Sequence, residues 1–427
     1  MNPVLRHILD NDLDSYICVE DLTVEWTFSQ KFPRLGVHFY NKILPNHQIF
    51  NIEYSVLCCQ LKAQLANPEK INETQLKEQL IAALVLAEFL EQINLHYLNV
   101  PREVQRLRQH KKVYKQLLKD WQGYRFALDS LDNEEVDVGY SVAQLIRNLT
   151  VQSNLYRQFF VRIKRLLDTI SLIGTSSVLF EQFVQGLGKL TNRMLPHLAW
   201  FFFLPRLLSN LFLILKHTIP GQWMSEEEKS LSWTNRLSAQ MQRRYFELGN
   251  DSIWVAVGIV NCFFLVGSLS PVGAYINVAF FGYDVVLAAL RAYVELYRLY
   301  DLQADYLNKF ANETDPDQLA TLEEFYKHLE DRIDFEEQRL EINLWAVFFL
   351  FVAMAFTIPA LSFNPIFAMF GAIILVATTI ANYVLSQQLE ESRPQDQIEL
   401  PSAGRLSFFA PKPSASKDDS LLPQLVI

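Results

Sequence analysis

The stretch Ile342–Leu389 limits the possible folds of this 427-residue chain more than any other feature, because it contains no charged residue. A helix that crosses a bilayer needs ~20 apolar residues at a rise of ~1.5 Å each, so the stretch is long enough to cross twice. Its middle, residues 362–365, reads Ser-Phe-Asn-Pro, and these residue types favour a turn. A soluble helix of this length would show a polar face, and none is present. Residues 342–389 therefore predict a transmembrane hairpin.

A second charge-free run, Ser252–Tyr283, also divides at a Ser- and Pro-containing turn, residues 268–271. It predicts another transmembrane hairpin over residues 252–290. Trp254 and Trp345 stand at matching entry points, and Trp and Tyr are enriched where helices enter a membrane. Trp254, Trp345 and Tyr383 are therefore predicted interface anchors. The similar turns indicate either a structural repeat or a coincidence of a few residues.

Residues 291–341, between the hairpins, are rich in charge and predict an antiparallel helical pair of coiled-coil type. Each helix is expected to continue a membrane span into water. Apolar and aromatic positions at three- and four-residue spacing predict two seams that face each other. The seam residues are Tyr293, Leu296, Tyr300, Gln303, Leu307 and Phe310 on the first helix, and Leu319, Leu322, Tyr326, Leu329, Ile333, Glu336 and Leu340 on the second.

The N-terminal region, residues 1–190, predicts a mostly helical cytoplasmic part without a signal peptide, since its start has early acids and no apolar core. Leu80–Leu90 is too short to span and is interrupted by Glu88, so it predicts a buried core helix. Residues 141–190 mix cations with apolar side chains, which suits a helix near the bilayer surface. The tail, residues 390–427, is rich in Pro and Ser and predicts disorder.

An additional apolar segment, residues 195–217, contains two prolines and Arg206, so it is expected either to span with a kink or to re-enter the same face. Residues 218–250 predict an amphipathic linker helix that Gly249-Asn250-Asp251 ends.

Neither hairpin turn carries Lys or Arg, whereas the flanking segments do, so these segments are placed in the cytoplasm. A cytoplasmic N-terminal region then requires a re-entrant 195–217 segment, which we prefer, or a sixth crossing near 170–187. A five-span topology with the N-terminal region outside is the alternative.

Polar residues at membrane depth are the main candidate site, because an ionised group there is costly unless it is paired or hydrated. Arg206 and Asp284 occupy such positions and are expected to pair across helices. Asn261 and Asn277 lie at similar distances from the turn of the first hairpin and are expected to hydrogen-bond between its two arms.

Cations on one predicted helix, residues 102–125, form the second candidate site. They indicate either a solvated helix face or attraction to anionic lipid head groups. The lipid-facing candidates are Arg106, Arg108, Lys111, Lys112 and Lys115.

Catalytic and metal-binding patterns are absent from the sequence: it has no P-loop, GxGxxG, HExxH or GxSxG motif, and its four cysteines show no metal-ligand spacing. We therefore expect neither enzymatic activity nor a cofactor. The net charge of −9 argues against nucleic acid as a partner.

The segment Leu198–Trp254 resembles a segment of uncharacterised multi-spanning helical membrane proteins of intracellular gamma-proteobacteria. The runs FLPR at 203–206 and PGQWMSEEEK at 220–229 carry this resemblance. It implies a multi-pass fold and no particular activity. Some proteins of such bacteria are secreted into host cells through a disordered C-terminal signal, and the final residues SASKDDSLLPQLVI are compatible with that route.

Taken together, these features predict an all-α multi-pass membrane protein that acts as a non-enzymatic scaffold, in the bacterial inner membrane or in a host membrane if it is secreted. Its expected partners are membrane lipids, an unidentified protein and a second copy of the chain. The alternative is a small ion or solute channel or transporter that uses Asp284 and Arg206 within the membrane.

Overall fold

The computed structural model describes residues 40, 44–66, 73–122, 142–174, 177–191 and 195–396, and over these residues the predicted all-α class is confirmed. They form twelve α-helices and no strand. The helices are α1 (His47–Ala66), α2 (Glu73–Gln92), α3 (Pro101–Gln122), α4 (Val142–Gly174), α5 (Val178–Thr191), α6 (Leu195–Thr218), α7 (Glu226–Ser230), α8 (Trp233–Ile259), α9 (Ser270–Asn312), α10 (Pro316–Ala355), α11 (Pro359–Ser362) and α12 (Pro365–Glu391).

Several helices begin at capping residues that the sequence supplies. Asp315 and Asn364 each accept a hydrogen bond from a backbone N–H of the next turn, and proline follows both as the first helical residue. Ser225 caps α7, but Ser232 caps a second helix, so the predicted single linker helix 218–250 is wrong. The helix α8 also continues through Gly249–Asp251, which was expected to end it.

One end of the molecule is a helical core, which consists of α1–α3 packed against the second half of α9 and the first half of α10. Its interior contains Tyr54, Phe89, Tyr306 and Phe325, each 1 % exposed or less. The helix α2 with its following turn, Thr74–Tyr97, is apolar enough to cross a membrane, but 78 % of its apolar window is buried here. The Leu80–Leu90 region is therefore a core helix, in agreement with its short apolar length.

The helices α9 and α10 are antiparallel and run without interruption, over 43 and 40 residues, from an apolar half into the helical core. The expected seam on α10 is largely buried, with Leu322, Leu329 and Ile333 at its centre. The seam predicted on α9 is only partly confirmed. Leu296 packs against the core, and Gln303 donates a 2.9 Å hydrogen bond to the Tyr326 hydroxyl on α10. Tyr293, however, is 67 % exposed, and the buried positions of α9 are Leu299, Leu302 and Tyr306. Both faces of α9 are apolar, so spacing alone does not distinguish them.

The other end of the molecule is an apolar bundle, which consists of α4, α6, the second half of α8, the first half of α9, the second half of α10, and α12. The chain reverses between α8 and α9 at residues 265–269, where Gly267 has a φ of +64°. It reverses again between α10 and α12 through the short helix α11. Besides Thr74–Tyr97, three helices of the described chain are long and apolar enough to span a membrane: Pro271–Asn312, Pro316–Ala355 and Pro365–Glu391.

The helix α4 does not belong to the N-terminal helical core, contrary to the domain boundary expected at residue 190. Its 33 residues pack along α12 and α6 within the apolar bundle. Arg162 donates a 2.5 Å hydrogen bond to Thr379 Oγ1 on α12, and Arg165 Nη1 lies 3.4 Å from Met354 Sδ on α10. These contacts also argue against a helix that lies flat on a bilayer surface.

The start of the C-terminal tail returns to the helical core. Ser55 Oγ donates a 3.0 Å hydrogen bond to the Asp396 carboxylate, and Lys62 Nζ donates one of 2.6 Å to Gln395. The prediction of disorder over residues 390–427 is therefore wrong for its first residues, up to 396. Residues 397–427 lie outside the described part of the chain.

Candidate functional site: a polar cluster inside the apolar bundle

The helix α6 exposes apolar side chains and buries polar ones, which is the reverse of a helix in a soluble protein. Its exposed side chains include Phe201 (57 %) and Phe212 (65 %), whereas Arg206 is 7 % and Asn210 is 2 % exposed. A helix whose apolar side faces outward and whose charge faces its neighbours is typical of a bundle that has lipid as its surroundings.

The helix α4 repeats this inversion. Leu149 (52 %) and Tyr156 (73 %) face outward. Arg157, Arg162 and Arg165 are half-buried, and the last two are directed at α12 and α10. The bundle therefore has a polar interior that the apolar runs of the two hairpins did not reveal.

Arg206 forms the central ion pair of this interior with Asp251 on α8. Its Nε donates a 2.8 Å hydrogen bond to Asp251 Oδ2, and Nη2 donates to Oδ1 in the same bidentate pair. Asp251 is fully buried, and the pairing with Arg206 compensates a charge that would be costly to bury alone. The expected pairing of Arg206 with Asp284 is therefore wrong.

A second ion pair lies about one helical turn away, because Glu247 precedes Asp251 by four residues on α8. Arg147 on α4 donates a 2.8 Å hydrogen bond to Glu247 on α8, and Asn210 on α6 donates to the same carboxylate oxygen over 3.2 Å. Three helices are thus joined through Glu247. None of the residues of this pair was singled out from the sequence.

Asp284, a residue of α9, faces a cavity of about 120 Å³ whose wall also includes Arg147, Arg206, Glu247 and Asn343. The Trp254 indole donates a hydrogen bond to the Asp284 carboxylate. The other oxygen, Oδ1, is buried and has no hydrogen-bond partner among the described residues. Asp284 is therefore the carboxylate of this cluster that has a free acceptor.

A larger cleft of about 510 Å³ lies between this cavity and the helical core, and the two share Phe246, Glu247 and Arg291 as wall residues. We call it the arginine cleft, because five arginines line it. They are Arg243 on α8, Arg291 and Arg298 on α9, and Arg332 and Arg339 on α10.

The predicted asparagine pair and two of the three predicted interface anchors agree with the structure, and the third anchor does not. Asn261 Nδ2 donates a 2.8 Å hydrogen bond to Asn277 Oδ1, so the first hairpin contains the expected bond between its arms. Trp254 lies inside the bundle against Phe203 and Phe281, so the prediction that it is an interface anchor is wrong. Trp345 (52 % exposed) and Tyr383 (46 % exposed) face outward, as an anchor requires.

Two of the five predicted lipid-facing cations are wrong. Arg108 is buried and bonds Glu91 over 2.6 Å, and Lys111, 2 % exposed, lies between Glu88 (2.5 Å) and Glu91 (2.6 Å). These cations therefore hold α3 against α2.

The remaining three lipid-facing candidates are more accessible. Arg106 is half-buried, bonds Glu103 over 2.9 Å and lies over the Tyr54 ring. Lys112 is exposed and Lys115 is half-buried.

The cluster provides buried ion pairs and one carboxylate oxygen with a free lone pair, so it can bind a cation or a proton at Asp284, or serve only to hold the helices together. No group of three or more metal-ligating side chains occurs in the described ranges. Sequence reasoning missed Arg147, Glu247 and Asp251, because their roles depend on which helices become neighbours.

The chain matches no protein-family model, no curated protein sequence and no solved structure.

Proposed function

We propose that this is a multi-pass membrane protein in which α4, α6, α8, α9, α10 and α12 cross the bilayer. Residues 195–217 then span within the continuous helix α6, in place of the re-entrant segment preferred from the sequence, and α4 supplies the sixth crossing that was expected near residues 170–187. The inverted polarity of α6 and α4 supports this, because in water those helices would expose Leu and Phe while they bury Arg. With six crossings, α1–α3 and residue 396 lie on the same side as the α9–α10 turn. The lack of Lys and Arg in both hairpin turns makes that side the cytoplasm.

The function that this geometry supports best is that of a non-enzymatic scaffold, which presents the helical core at the membrane surface. The supporting observation is that α9 and α10 enter the helical core without a hinge, so the cytoplasmic platform and the bundle share continuous helices. The resemblance of residues 198–254 to proteins of intracellular bacteria makes a bacterial inner membrane, or a host membrane after secretion, the proposed location.

A scaffold needs an interaction surface, and α9 carries one that continues from the bundle into water. Ten exposed uncharged positions recur at alternating four- and three-residue spacing on its outer face, and we call them the α9 seam. They are Ala279, Tyr283, Val286, Leu290, Tyr293, Tyr297, Tyr300, Ala304, Leu307 and Ala311. This spacing is the repeat of a coiled coil.

The partner that this seam fits is a second copy of the chain. Lipid can cover the seam only before Arg291, and a partner in water can cover it only after, whereas the α9 of a second copy leaves the bilayer at the same residue. Two parallel copies in register bring no like charges together along the seam. At 150–200 Å² per large side chain, the exposed fractions amount to roughly 700 Å² per copy, close to the ~800 Å² per partner of stable interfaces.

Disulfide trapping tests this dimer. With the native cysteines replaced by serine, Tyr297→Cys should give a cross-linked dimer in native membranes, because a parallel seam brings the two Cα atoms within the reach of a disulfide. Glu330→Cys, an exposed position on α10, is the matched control and should remain monomeric. Equal cross-linking at both positions, or none at Tyr297→Cys, would contradict self-association through α9.

The second candidate function is an ion or proton path, and the free acceptor of Asp284 in a cavity next to the arginine cleft favours it. Ion flux into liposomes that contain the purified protein separates the two functions. A path through the bundle predicts flux that Asp284→Asn abolishes and that Asp301→Asn, an exposed carboxylate on the same helix, leaves intact. The scaffold proposal predicts no flux above that of empty liposomes in all three cases.

A further inference from the structure

The arginine cleft carries more positive charge than its own walls neutralise. Glu295 is shared by Arg291 (2.8 Å) and Arg339 (3.2 Å). Glu336 is shared by Arg332 (2.8 Å) and Arg339 (2.7 Å). Three arginines therefore share two carboxylates.

The third carboxylate on the wall, Glu247, is bonded to Arg147 on α4 and adds no free negative charge. Arg243 donates to the Leu98 carbonyl oxygen over 3.2 Å, and Arg298 donates to the Gln48 side-chain oxygen. Neither arginine has a carboxylate partner among the described residues. Both guanidinium groups are half-buried, so their charge is partly removed from water without a carboxylate to compensate it, which costs free energy. An anion in the cleft would remove that cost.

The depth of the cleft indicates where such an anion comes from. Arg291 is the first cation on α9 after its apolar half, and Arg339 is the last on α10 before its apolar half. Both therefore stand at the level of the lipid phosphates on the cytoplasmic side in the proposed topology. The volume of about 510 Å³ is much larger than a phosphate ion and suits a lipid head group. Ile52, Tyr245 and Phe246 supply apolar wall for the glycerol and the start of the acyl chains.

We propose that the arginine cleft binds the phosphate monoester head group of an anionic membrane lipid, with Arg243 and Arg298 as its main ligands. A guanidinium fork donates two parallel hydrogen bonds to phosphate oxygens, and basic pockets between membrane helices on the cytoplasmic side are known head-group sites. This inference rests on the proposed membrane topology, but not on whether the protein acts as a scaffold or as an ion path.

The test uses the full chain in nanodiscs of phosphatidylcholine, with or without phosphatidic acid, and follows thermal unfolding by tryptophan fluorescence. Phosphatidic acid should raise the unfolding temperature of the wild type. The double variant Arg243→Gln/Arg298→Gln should lose most of that rise and bind short-chain phosphatidic acid about tenfold or more weakly, as expected for the loss of hydrogen bonds between charged groups. Because neither arginine pairs with a carboxylate, the variant leaves no acid unpaired and should fold normally in phosphatidylcholine alone.

Two controls make the result specific. Lys112→Gln removes an exposed cation that does not line the cleft and should retain the full response to phosphatidic acid. Inorganic phosphate added to phosphatidylcholine nanodiscs should have little effect. An equal response in the double variant and the wild type would overturn the site, and a response to inorganic phosphate as large as that to phosphatidic acid would overturn its assignment to a lipid. If the double variant is poorly folded, Arg298→Gln alone, measured in the same way, decides between these outcomes.

Discussion

Individual buried charges define the interior of this protein, and Arg206 with Asp251 is the clearest case. Both side chains are 9 % exposed or less, and they form a bidentate pair between α6 and α8. The removal of one partner leaves an unpaired charge in a medium that cannot solvate it, whereas an exposed pair is largely compensated by water. The energetic importance of this pair should therefore differ sharply from that of a surface pair.

Asp251→Ala should lower the free energy of unfolding in detergent by about 3–5 kcal/mol, because Arg206 stays buried without its partner. Lys229→Ala, which breaks an exposed pair with Glu226, should cost about 1 kcal/mol or less. The exchanged double variant Arg206→Asp/Asp251→Arg should recover part of the loss. A loss for Asp251→Ala as small as that for Lys229→Ala, in the same chemical denaturation assay, would show that the pair is not buried in solution.

His110 predicts a pH effect in the helical core. Its ring nitrogen lies 2.8 Å from the Tyr54 hydroxyl, and burial, then the charge of Arg106, lower its pKa to about 4, while the Asp396 carboxylate opposes this shift. In the unfolded chain His110 has an ordinary pKa of about 6.5. Between pH 6.5 and pH 4 the unfolded chain therefore binds a proton at His110 and the folded chain does not. Stability should therefore fall as the pH drops from about 6.5 to 4, by up to about 1.4 kcal/mol per pH unit from this group.

The difference in unfolding free energy between wild type and His110→Gln, measured from pH 7.5 to 4.5, isolates this contribution from that of other titrating groups. The wild type should lose more stability than the variant as the pH falls. Parallel pH profiles would show that His110 has the same pKa in the folded and unfolded chain, which contradicts its burial.

At the scale of helices, close approach depends on glycine at specific crossings. An added Cβ at Gly258 on α8 would lie 2.6 Å from Trp200 Cβ and 3.1 Å from the Trp200 backbone nitrogen on α6. By contrast, Gly186 on α5 has no atom within 4 Å of such a Cβ. The same substitution therefore has opposite expected effects at the two positions.

Gly258→Ala should destabilise the bundle by about 1–3 kcal/mol through overpacking at the α6–α8 crossing. Gly186→Ala should be neutral or stabilising by up to about 1 kcal/mol, because alanine favours the helix and nothing opposes it. Thermal unfolding of the two variants beside the wild type provides the comparison. If Gly258→Ala were as stable as Gly186→Ala, the two helices would not approach each other this closely.

The positions of several helices could be predicted from the sequence, but the choice of helix faces could not always be predicted. The two helical hairpins were predictable because each charge-free run is long enough for two helices, and Asn-Pro or Ser-Pro places each turn. The seam on α10 was largely predictable because most other positions of its first half are charged or polar, although Phe325 and Phe335 are also buried. On α9, apolar residues occupy both the face with Leu299 and the face with Tyr293, so periodicity could not choose between them.

The helix α4 and the cations of α3 were mispredicted for a related reason. An amphipathic pattern reports that a helix has two faces, but it does not report which face its neighbours take. Leu149 and Tyr156 face outward in α4, and the arginines face inward. Lys111 appeared lipid-facing because Glu88 and Glu91, which neutralise it, belong to another helix. The polar cluster could not be predicted for the same reason, apart from Arg206 and Asp284, which stand out as charges within or beside long apolar runs.

For the whole molecule, the central claim is that six helices cross a bilayer and that the helical core and the α9–α10 turn lie on one side of it. Single cysteines in a background without native cysteines test this claim with a membrane-impermeant maleimide on sealed vesicles of known orientation. Asn46→Cys and Thr314→Cys report the proposed cytoplasmic side, and Leu269→Cys and Phe363→Cys report the two hairpin turns, where the native side chains are 51 % and 81 % exposed. With six crossings, Asn46→Cys and Thr314→Cys should be labelled together from the cytoplasmic side, and Leu269→Cys and Phe363→Cys should be labelled only from the opposite side. Labelling of either hairpin position from the same side as Thr314→Cys would contradict this topology.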